Sequence, residues 1–141
     1  MKTTITTIVT AFIMMLSFNS FASVEANPLK NLNSSKIVMA YLETATEGSL
    51  DLNKYLFSDD FIYLNSVNNK SYTKREYLAF LKANKGLKYD CETSYEILDE
   101  CGKACVAKVS MRFKKFTRID YVSLSQGVDG WKVSKVVTSF S

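Results

Sequence analysis

The feature that most restricts the fold of this 141-residue chain is a change of hydrophobic period near Leu87. Before it, Ile37, Val38, Tyr41, Leu42 and Ala45 recur at the three- and four-residue spacing of a buried helical stripe, with Ser34 or Ser35 as N-cap and Gly48 as C-terminal stop. After it the period falls to two, predicting strands over Lys88–Leu98, Cys105–Phe113, Thr117–Ser125 and Trp131–Phe140. Between these regions the sequence predicts a short helix over Leu50–Phe57 and a strand over Asp60–Leu64 ended by the Asn-rich stretch 65–70. Thr73 and Glu76 have capping-box spacing, which starts a helix that runs to Ala83. Helices followed by a strand meander define an α+β domain.

The N-terminus reads as a secretory leader: Lys2, an apolar run from Ile5 to Phe18, then Ser20-Phe21-Ala22 as a cleavage site. The run is about 14 residues, short of the roughly 20 that span a bilayer, and no later segment approaches that length. We therefore expect a leader over 1–22, a spacer over 23–33 holding the single proline, and one domain over 34–141. The product is expected to be soluble in the periplasm or outside the cell, with no membrane span. Removing 1–22 takes away Lys2 and no acid, leaving 17 basic and 14 acidic groups, net +3. The bases are interleaved with acids, unlike the one-sided basic surface of a nucleic-acid binder, so no nucleic-acid partner is expected.

Three cysteines in an exported chain allow at most one internal disulfide. Cys101 and Cys105 flank the three-residue loop Gly102-Lys103-Ala104, so a hairpin that set them opposite each other would bring them within bridging distance. That register also faces Ile97 with Val109, Tyr95 with Met111 and Thr93 with Phe113 on one side. On the other it sets Glu92 against Lys114, with Glu96 diagonal to Lys108 and Arg112. Cys91 falls far down the strand and is expected to be free. The chain has no histidine, so one chain cannot supply a Ser-His-Asp or Cys-His nucleophile, and a metal site lacks its usual ligands.

Tyr41 and Gly48 seven apart, Ser58-Asp59-Asp60-Phe61, Ile119-Asp120-Tyr121 and Asp129-Gly130-Trp131-Lys132-Val133 occur in an order that resembles the nuclear transport factor 2-like superfamily. The resemblance covers Lys36 to Phe140 and is nearest to secreted lumazine-binding-like and ketosteroid isomerase-like members. It implies a cystatin-like α+β cone, in which N-terminal helices pack on a strongly curved, mostly antiparallel sheet around a conical pocket. It also implies a homodimer through the outer sheet face. Against the isomerase branch, Tyr41 and Asp120 match the two hydrogen-bond donors, whereas the position of the catalytic carboxylate holds Asn65, which takes no proton at neutral pH. Tyr41 and Asp120 also have plain structural readings, as a core tyrosine and an anchor for neighbouring polar groups.

The pocket residues expected on this basis are Tyr41, Asn65 and Asp120 as polar groups, with Phe61, Tyr63, Tyr95, Met111, Phe113 and Trp131 as walls. Arg112, Lys114, Lys115 and Arg118 read as a solvated basic face paired with Glu92 and Glu96. The expected function is noncatalytic binding of a small apolar or planar ligand, with no cofactor and no metal. One alternative is an isomerase, dehydratase or polyketide cyclase-like enzyme that uses Tyr41 and Asp120 as donors. The other is a protein-interaction module with a filled pocket.

Overall fold

The computed structural model describes residues 26–141, so the leader read over 1–22 lies outside the described residues. Helix α1 spans Ser34–Glu47, and its N-cap is Asn33, one residue before the expected serines, whose side chain accepts from the Lys36 amide. Gly48 closes α1 in the left-handed conformation, φ 65°. A Cβ there would stand 2.7 Å from the Gly86 amide nitrogen, so this position needs glycine for both its angle and its neighbours. Helix α2 covers Asn53–Leu56, and α3 covers Lys74–Ala83 behind the expected capping box of Thr73 and Glu76. The segment assigned to the spacer is partly packed. Leu29 is buried in the core, and the Asn27 side chain donates to the Asp129 carbonyl.

Six strands form one open sheet: β1 Phe57–Asn65, β2 Lys70–Thr73, β3 Glu92–Cys101, β4 Ala104–Arg112, β5 Thr117–Gly127 and β6 Gly130–Phe140. Their order is β2-β1-β6-β5-β4-β3, with β1 and β6 parallel and every other pair antiparallel. The period-two segments thus formed the expected meander. The Asn-rich stretch that was to end β1 instead makes a turn into β2, a strand too short and too exposed to show alternation. Register shifts interrupt β1, β3 and, at Ser134, β6, and such bulges bend a sheet. The inner face of the sheet carries Val109, Met111, Val122, Val133 and Val136, all fully buried; α1 packs on the β3, β4 and β6 side of the sheet and α3 on β1 and β2.

The hairpin register corrects the disulfide expectation. The β3–β4 turn has two residues, Gly102 and Lys103, not three; Gly102 at φ 57° supplies the positive angle that a two-residue hairpin favours. Cys101 therefore pairs with Ala104 and Cys105 with Glu100, which sends the two thiols to opposite faces of the sheet. Cys101 is exposed, Cys105 is buried in the core, and both are free, as is Cys91. A bulge at Leu98 then restores the expected facing of β3, displaced by two residues: Ile97 meets Ala107, Tyr95 meets Val109 and Thr93 meets Met111. Acids still meet bases, with exchanged partners, Glu92 opposite Arg112 and Glu96 opposite Lys108.

Candidate functional site

Alternation along β5 turns Arg118, Asp120, Val122 and Leu124 inward, where the last three are buried. Asp120 is fully buried, opposite Val109 of β4 and Thr138 of β6. It accepts four hydrogen bonds. Tyr41 Oη from α1 donates to Oδ2 at 2.6 Å, Thr138 Oγ1 donates to Oδ1 at 2.7 Å, and Arg118 donates through Nε to Oδ1 and Nη2 to Oδ2, each at 2.9 Å. Three elements are thus tied to one carboxylate, and the expected role of Asp120 as a donor toward a ligand has no free geometry. Arg118 belongs to this buried cluster and not to the solvated basic face, since its side chain is only 13% exposed.

Burial raises the pKa of the Tyr41 hydroxyl well above the ordinary tyrosine value, and the negative Asp120 beside it adds to the rise. Tyr77 and Tyr63 are raised for the same first reason, with the nearby Arg118 charge pulling the other way. For Arg118, burial favours loss of the proton. The adjacent negative groups and the bonds to Asp120 outweigh it and hold the guanidinium charged. The cluster thus centres on the Arg118–Asp120 ion pair, with the phenols around it held protonated by burial.

Above the pair lies a cavity of about 60 Å³. Arg118, Tyr63, Tyr77, Tyr89, Asn84 and Thr44 supply its polar lining, while Ala45, Phe80, Leu81 and Leu87 supply apolar wall. Among the described residues no Asp or Glu borders it. The rings at this end are layered: Tyr63 and Tyr77 stack at 5.0 Å and 14°, and Phe80 lies 6.4 Å beyond at 26°. Below them Phe57 meets Phe61 at 4.8 Å and Tyr77 at 5.5 Å in edge contacts that fill the taper of the cone.

Of the nine expected pocket residues, Tyr63 alone borders this cavity. Tyr41 and Asp120 sit one layer beneath it, reached through Arg118. Phe61 and Met111 are fully buried in the core, and Trp131 is buried with them. Phe113 stacks on Phe116 at 4.6 Å, and Tyr95 faces a separate groove between α1 and β3. Asn65 caps a turn by accepting from the Val67 amide, so its side chain is spent on the backbone. Reasoning from sequence missed Arg118, Tyr89, Asn84 and Thr44. The signal for Arg118 was its parity with Asp120, two residues on.

No family model and no curated protein matches the sequence. Solved structures do. An NTF-2 like protein of unknown function from Silicibacter pomeroyi is 11% identical with a TM-score of 0.62, over 76% of this chain and 92% of that one. One from Shewanella baltica, also of unknown function, is 15% identical with a TM-score of 0.62, over 76% and 90%. An NTF2-like protein from Cytophaga hutchinsonii is 15% identical with a TM-score of 0.61, over 77% and 98%. The fold is that of the nuclear transport factor 2-like proteins. At these identities the likeness carries the NTF2-like architecture and no activity, so function rests on the side chains of the site. Among the described residues no helix is long and apolar enough to cross a membrane.

Proposed function

We propose that this NTF2-like domain is an exported, noncatalytic binder of a small molecule, held in the tyrosine-lined cavity over Arg118. The observation that carries this reading is a charged guanidinium, itself mostly buried, bordering a cavity that tyrosines and apolar side chains line with it. The cavity is far below the roughly 300–1,000 Å³ of a pocket for drug-sized ligands. It has room for a group of a few heavy atoms, so a planar multi-ring ligand would have to displace α3 or Phe80. The donor pair that the enzyme reading needs is occupied. The hydroxyl proton of Tyr41 goes to Asp120, and neither residue borders the cavity.

A second reading, a protein-interaction module, draws support from the filled cone and from Ile62 and Tyr121, which stand exposed on the outer sheet face. A homodimer through that face belongs with this reading. Native mass spectrometry of the protein purified from its host's envelope separates the two. A retained small molecule on the monomer mass supports the binder. A stoichiometric protein partner or a second copy, with no small molecule and no fragment that perturbs the cavity in an NMR screen, overturns it.

A further inference from the structure

A guanidinium carries five N–H donors on two usable edges, each able to hold a carboxylate through two parallel bonds. Asp120 occupies one edge of Arg118, the one made by Nε and Nη2. The other edge, Nη1 with the second Nη2 hydrogen, points away from Asp120, and Arg118 borders the cavity. We propose that this second edge is the recognition element of the cavity, and that the ligand is a small monocarboxylate with a short apolar tail. The inference deepens the binding function proposed above and rests on it.

Four features select that chemistry. No Asp or Glu is among the lining residues to repel an entering carboxylate, and Asp120 beneath the cavity is already paired with Arg118. Thr44 and Tyr89 bring hydroxyl groups to the lining, whereas the Tyr63 and Tyr77 hydroxyls are engaged with Thr138 and Tyr41 beneath it and contribute ring wall. The volume, about 60 Å³, admits a carboxylate group and little more. The tail must therefore leave past Phe80 and Leu87, two lining residues that are largely exposed and so mark an apolar mouth. Because Arg118 is shared between two carboxylates, affinity should be modest, with dissociation constants of about a millimolar for a minimal ligand.

The test is NMR titration of the isotope-labelled full chain with butyrate and, separately, with its uncharged isostere butyramide. Butyrate is expected to shift the Arg118 Nε resonance and the amides of 44–48 and 84–89, and to bind at least ten-fold more tightly than butyramide. Arg118→Lys keeps a cation for Asp120 but has no second edge, and should lose that preference. Equal binding of the two probes to the cavity overturns the carboxylate inference while leaving the binding function standing. Butyrate selectivity that persists in a folded Arg118→Lys variant also overturns it. If neither probe moves any cavity resonance of the wild-type chain, both proposals fall; this comparison needs no variant to fold.

Discussion

Asp120 is the residue on which most of the buried polarity depends. Removing one partner of a buried ion pair strands the other, so Asp120→Ala leaves Arg118 as an uncompensated cation and should cost about 3–5 kcal/mol of stability. Tyr41→Phe removes one bond to a charged acceptor and leaves the pair intact, for a loss of about 1.5–3 kcal/mol. The two changes act on one network, so the double variant should lose clearly less than the sum of the single losses. Urea unfolding of the three variants against wild type checks this, and additive losses would show that Tyr41 and Asp120 are energetically separate. At the same scale, Asn65 illustrates why a position matched by family resemblance is not a site. Its carbonyl oxygen is satisfied by the Val67 amide two residues later.

Among the elements, the β3–β4 hairpin is where local sequence and final geometry diverged. Cys101 and Cys105 are separated by the sheet itself, one thiol exposed and the other in the core. Iodoacetamide under native conditions should therefore label Cys101 quickly and Cys105 only after unfolding; peptide mapping that found them bridged would overturn the two-residue turn. Most of the architecture could be read from the chain because it follows from period and caps. The stripe of Ile37, Val38 and Tyr41, the capping box at Thr73 and the alternation of β4 to β6 each impose one local solution. What escaped depends on single-residue offsets or long-range packing. A turn of two residues in place of three moves every pair in its hairpin, and β2 has no buried side to leave a pattern. Arg118 looked like surface because Lys114 and Lys115 precede it, although its parity with Asp120 already pointed inward. Which of the aromatic rings fill the cone and which line its cavity is a matter of volumes, which spacing does not encode.

For the molecule as a whole, the buried phenols set an alkaline limit. Below pH of about 10 Tyr41 and Tyr77 are protonated whether the chain is folded or not. Above it the unfolded chain releases these protons while the folded one retains them, because burial raises both groups. The folded state then binds more protons, so stability falls with rising pH, by up to about 1.4 kcal/mol per pH unit for each group. Tyr77→Phe should make this decline gentler by up to that amount, as read from urea midpoints between pH 9 and 11; an unchanged slope would show that Tyr77 ionises alike in both states. The strand order has a consequence for how the chain matures. Among the described residues the only parallel ladder joins β1 to β6, the last of the six strands there in chain order, so β1–β2 and β3–β5 share no ladder until β6 arrives between them. A chain free to fold only up to Asp129 holds two half-sheets with open seams, and cooperative folding waits on the final strand.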